Sequence, residues 1–154
     1  MYPILLTLHS LLRWFVLASL LLAVYRAYKG WFTRQPFSSA DNTIRHITAT
    51  IAHIQLLTGL WLYFISPVMA YFFKHLKQAI HVREIRFFGM EHSILMLIAI
   101  VIITIGSALA KRRQTDEGKF KIMAIWFSIG LLIIILAIPW PFSPFTSRPF
   151  FRLF

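Results

Sequence analysis

Apolar residues fall in four long runs, at about 4–28, 44–65, 88–110 and 122–138, separated by polar or proline-bearing turns. Each run suits a transmembrane helix, since about 20 residues at a rise of 1.5 Å cover about 30 Å of hydrocarbon. The stretch 68–87 is patterned differently. Lys74, Lys77, Gln78 and His81 recur at helical spacing on one side, with Phe72, Phe73, Leu76 and Ile80 on the other. That pattern predicts an amphipathic helix lying along the membrane surface. Pro36, Ser66-Pro67 and Pro139-Trp140-Pro141 mark breaks, because proline cannot continue a helix. Ser39 or Asp41 suits an N-cap, and Gly30 a C-cap. The expected fold is all-α: a single integral membrane domain, 1–154, built as a four-helix bundle with one interfacial helix between spans two and three.

Polar residues inside these runs are few. Span one holds His9, Ser10, Arg13 and Ser19; span two holds His53 near its middle, with Gln55 two residues on; Glu91-His92 opens span three; span four has no ionisable side chain. Such groups are expensive in hydrocarbon and usually face a bundle interior, a cavity or a cofactor. His9 and Arg13 share a helix face, as do His46, Thr50 and His53. Ala52 and Gly59 form a stripe of small residues where a neighbouring helix can approach. The His92 stripe runs through Met96, Ala99, Ile103 and Gly106, whose small members leave room for a helix or a flat ligand. Met96 reads as core filler.

Composition supports the membrane class. The 154 residues are 58% hydrophobic, against about 45–50% for a soluble domain, and mean hydropathy is +0.71. The formal net charge of +11 does not indicate nucleic acid, because the basic residues cluster at span ends, where they report topology and contact with anionic lipid. The two short loops hold nine Lys or Arg, from Arg26 to Arg45 and from Lys111 to Lys121, against six on the other side: Lys74, Lys77, Arg83, Arg86, Arg148 and Arg152. The excess predicts both termini outside. The start, Met1-Tyr2-Pro3, lacks a basic n-region and a cleavage site, so span one is expected to be retained. With no cysteine, disulfides, thiolate metal sites and covalently attached haem are excluded.

In that orientation His9 and His92 both lie roughly 10 Å outside the midplane, and His53 is on the order of 12–15 Å from them along the normal. Arg13 and Glu91 share the outer third, where an ion pair between spans one and three is the plain expectation.

Three functions fit. In the first, one haem b at most sits between histidines of different spans, with His9 and His92 the axial pair, His53 in reserve, and Arg13 compensating propionates or tuning the potential. The spacing of two histidines 13 or 14 apart on each of two helices, which holds two stacked haems, is absent. In the second, the chain is a cofactor-free accessory subunit of a larger membrane complex, and the imidazoles fix helix packing. In the third, His9, Glu91 and His92 serve a metal- or quinone-linked redox protein. No zinc-protease, phosphate-loop or serine-nucleophile motif is present, which favours an electron carrier or subunit over a stand-alone enzyme.

Four segments, L-H-S-L-L-R-W at Leu8 to Trp14, A-H-I-Q-L-L-T-G-L at Ala52 to Leu60, F-F-G-M-E-H at Phe87 to His92 and I-P-W-P at Ile138 to Pro141, resemble a group of short bacterial four-helix membrane proteins labelled cytochrome b or cytochrome-b-like. The resemblance covers nearly the whole chain. It implies a four-helix bundle in the bacterial inner membrane, with haem b and electron transfer. Carried over by position, His9, His53 and His92 stand for the group's buried histidines.

Overall fold

The computed structural model describes residues 1–143, 146 and 148–150. Helix α1 spans Tyr2–Thr33 and α2 spans Ser39–Ile65. Three short helices follow, α3 (Pro67–Lys74), α4 (Leu76–Ala79) and α5 (Arg83–Arg86). A single wide π-turn at Phe87–Glu91 leads into α6 (His92–Arg112), and α7 spans Asp116–Ala137. No strand occurs among the described residues. Four helices are long and apolar enough to cross a membrane: α1, α2, the continuous stretch Arg83–Arg112, and α7. Arg152, counted above among the outer charges, lies outside the described residues.

Around the bundle the order is α1, α2, α6, α7, with α1 also against α7. Helices α1 and α6 are therefore diagonal, as an up-down-up-down bundle requires. The α2–α6 seam is the least tightly packed of the four. Small residues set the close approaches elsewhere. Ala23 and Ala27 of α1, Ala99 of α6, and Ala124 and Ala137 of α7 are fully buried. A Cβ at Gly106 would lie 2.3 Å from Cβ of Trp126, and one at Gly130 would lie 2.6 Å from Cγ1 of Ile103. In lipid such contact, rather than expulsion of water, holds helices together. The room that Ala99 and Gly106 leave on the His92 stripe is thus taken by α7.

Several boundaries differ from the sequence expectation for identifiable reasons. Gly30 does not cap α1. It is buried against Phe120, whose Cζ a Cβ would meet at 2.4 Å, and the helix runs on to Thr33. Arg34 takes the left-handed cap position at φ 52°, its N–H bonding the Gly30 carbonyl. At the start of α2 the cap is Ser38, one residue before the expected Ser39, in a reciprocal capping box with Asp41. Helix α7 begins at Asp116, ahead of its apolar run, because the Thr115 hydroxyl accepts the Gly118 N–H. It ends where expected, before Ile138-Pro139.

The expected single amphipathic helix over 68–87 is broken into three. Met69, Phe72 and Ala79 form its buried cluster, while Phe73 and Leu76 are exposed instead of sharing that face. The break falls at His75, at φ −127° and ψ 43°. It redirects the chain so that Phe72 packs on Gly89, where a Cβ would come within 2.7 Å of the ring.

Candidate functional site

His9 projects from α1 onto α2. Gly59 makes the landing possible, because a Cβ there would lie 3.0 Å from Cε1 of the imidazole. The protons in this contact follow from the donors available. Thr58 Oγ1 donates its only hydrogen to the Gln55 carbonyl at 2.9 Å. Its oxygen is then an acceptor for His9 Nδ1–H at 3.3 Å. The Gln55 amide donates to the His9 carbonyl at 3.0 Å and to His9 Nε2 at 3.3 Å. His9 is therefore the Nδ1–H tautomer, with its Nε2 lone pair held by a longer amide contact. Gln55 Oε1 is buried and has no partner.

His92 projects from α6, just after the π-turn, and donates Nδ1–H to the Ala137 carbonyl of α7 at 2.9 Å. That acceptor has no hydrogen, so His92 is also the Nδ1–H tautomer and carries its lone pair on Nε2. The Ala137 carbonyl is open because α7 stops there. The wide turn exposes backbone groups of its own, which neighbours satisfy: Tyr63 donates to the Gly89 carbonyl at 2.8 Å, and Ser93 to the Phe88 carbonyl at 2.9 Å. Phe87 and Phe88 lie against the His92 ring, with centroids at 5.7 and 6.0 Å.

The expected Arg13–Glu91 ion pair does not form. Glu91 bonds Arg86 at 2.8 Å, five residues back along its own chain, because a π-turn brings residues five apart alongside each other. Arg13 instead donates from Nη2 to the Phe150 carbonyl at 2.6 Å, while its Nε is buried without a partner among the described residues. Among the described residues no three of His, Asp and Glu gather to hold a metal ion. The set His9, Glu91 and His92 is thus not assembled.

His53 stands apart. Its Nε2 donates to Thr104 Oγ1 at 2.9 Å, across the loosely packed α2–α6 seam, and it faces outward. The Thr104 hydroxyl in turn donates to the Ile100 carbonyl at 2.6 Å. His46 and Thr50 continue the same exposed stripe.

A second polar group, missed in the sequence, occupies the end of the bundle where the α1–α2 and α6–α7 loops lie. Arg45, expected only as a loop charge, is buried. It donates to Ser107 Oγ at 2.6 Å, to the Ser107 carbonyl at 3.0 Å and to Asn42 Oδ1 at 2.9 Å. Beside it Asp41, also buried, accepts Arg26 at 2.7 Å and the Ser38 hydroxyl at 2.6 Å. The signal that could have found Arg45 is its place seven residues inside the capped start of α2. Gln55 and Thr58 were legible as the polar residues nearest Gly59, but their partner was not. Compared with protein-family models, curated proteins and solved structures, the chain matches none.

Proposed function

We propose that this chain is a multi-pass protein of the bacterial inner membrane, both termini outside, that carries one haem b between His9 and His92 and transfers electrons. The observation that supports it is the matched state of the two imidazoles. They come from diagonal helices, and each spends Nδ1–H on an acceptor of an adjacent helix. A neutral imidazole with Nδ1–H fixed by a second group and Nε2 bearing the lone pair is the form that ligates iron. The donor set thus fits the group, once the Gln55 amide gives up its 3.3 Å contact with His9 Nε2. When bound, haem supplies one-electron redox chemistry. The chain's own residues orient the ligands, exclude water with Phe87 and Phe88, and offer Arg13 as a counter-charge whose Nε–H has no partner among the described residues. His53 then serves as a packing bond to Thr104.

The test is an absorption spectrum of the detergent-purified protein, oxidised and then dithionite-reduced, with haem quantified against protein. A sharp reduced α-band at about one haem per chain, lost in His9→Ala and in His92→Ala, is expected. Retention of full haem and an unchanged spectrum in both variants would overturn the axial pair. The second reading, a cofactor-free accessory subunit, has one observation in its favour: both ring nitrogens of His9 already have protein partners. A featureless spectrum from haem-replete cells selects it.

A further inference from the structure

At the loop end a cavity of about 260 Å³ opens between α2, α6 and α7, lined by Phe37, Ser38, Ser39, Asn42, Ala110, Lys111 and Lys119. At about 30 Å³ per water it has room for a small oxyanion with waters. Ser38 already gives its N–H and its hydroxyl to Asp41, so the donors facing the opening are the two lysines, Asn42 and Ser39. Asn42 Oδ1 is engaged by Arg45 through Nε at 3.2 Å and Nη2 at 2.9 Å, which leaves the two amide hydrogens as what Asn42 can offer a ligand. Ser39 opens a helix of 27 residues whose start is already capped by the Ser38 hydroxyl and the Asp41 carboxylate, so Ser39 offers its side-chain hydroxyl rather than the helix end. The Lys111 ammonium makes no hydrogen bond or ion pair among the described residues. The Lys119 ammonium holds one bond, to Asp116 at 3.3 Å, and lies 5.4 Å from the Phe37 ring centroid. Of the three acids at this end, Asp41 is neutralised by Arg26 and Asp116 is shared with Lys119, while Glu117 is exposed in the first turn of α7 and does not line the cavity. Arg112 and Arg113 add charge beside the opening without lining it.

We infer that this cavity binds a phosphate group, with Lys111 and Lys119 supplying charge and Asn42 and Ser39 supplying oriented donors. The apolar parts of its lining, Phe37 and Ala110, suit the hydrocarbon of an anionic phospholipid beside its phosphate; free phosphate shares the chemistry of the charged part. The site is separate from the histidines and independent of whether haem is bound.

Thermal unfolding of the detergent-purified full chain tests the inference, with added phosphatidylglycerol, phosphatidylcholine or inorganic phosphate. Phosphatidylglycerol is expected to raise Tm saturably, at least tenfold more tightly than phosphatidylcholine, and K111Q/K119Q is expected to abolish that difference. Arg112→Gln with Arg113→Gln removes the same charge outside the cavity and should keep it. Lys111→Gln alone, which breaks no bond within the chain, carries the same test should the double variant fold poorly. A Tm rise with inorganic phosphate that needs the same lysines would uphold the site and assign its ligand as free phosphate. Equal responses to both lipids without a phosphate response, or equal losses from both double variants, would overturn it.

Discussion

The two ends of the bundle handle buried polar groups in opposite ways. At the loop end Asp41 uses both carboxylate oxygens, on Arg26 and on Ser38, and buried Arg45 is bonded through Nε, Nη1 and Nη2. At the other end His92 commits Nδ1–H at 2.9 Å and His9 more loosely at 3.3 Å, while Gln55 Oε1 and Arg13 Nε lie buried with no partner among the described residues. An unmade buried bond costs about 1–3 kcal/mol. A folded chain tolerates that cost where the groups serve something besides packing. The difference separates a cluster that locks helices together from one with buried polar atoms left unpaired among the described residues, the end to which we assign the haem.

Replacing the histidines should break the comparison most visibly. His92→Ala and His9→Ala are each expected to remove haem while the protein stays helical, read by reduced-minus-oxidised spectra beside far-UV circular dichroism. The loop end should show the converse. Arg45→Ala strips Ser107 and Asn42 of their donor and is expected to cost about 2–4 kcal/mol, measured by unfolding in detergent. Haem per folded chain should not change; a haem loss that tracked Arg45→Ala in still-folded protein would show that the two ends act as one unit.

Asp41→Ala should cost somewhat less, about 2–3 kcal/mol. It removes the α2 capping box and leaves Arg26 without its partner, but Arg26 is a third exposed and water softens the loss. Gly30→Ala forces a methyl group into the Phe120 ring and is expected to cost about 1–3 kcal/mol through overpacking, seen as a lower Tm. The smallest stability effect belongs to Gln55→Leu. It removes an unsatisfied oxygen along with two modest bonds, so stability should stay within about 1 kcal/mol. Haem uptake by the apoprotein should become easier, since the amide no longer meets His9 Nε2. Slower or weaker uptake in that titration would instead make Gln55 part of the binding site.

Much of the fold was legible because a single physical constraint dominates it. Apolar runs of spanning length and proline stops located four long helices, and His53 bonds Thr104 rather than the partners of His9 or His92. Misreadings cluster where one residue's role depends on another helix. Gly30 has the chemistry of a cap but lies under Phe120. Glu91 has the depth to meet Arg13, yet the π-turn hands it to Arg86. Phe73 and Leu76 fit an apolar face that the break at His75 divides.

Sequence alone therefore determined the number and order of the four long helices and which of them carry polar residues. Both follow from rise per residue and the cost of polar groups in hydrocarbon, which are properties of each segment by itself. Tertiary structure decided what those residues do: that Gly59 receives the His9 ring, that Ala137 fixes the His92 tautomer, that His53 turns outward to Thr104, and that Arg45 is a core residue. These depend on helix rotation and on where a neighbouring helix ends. Contacts between segments set both, and no periodicity within one segment records them.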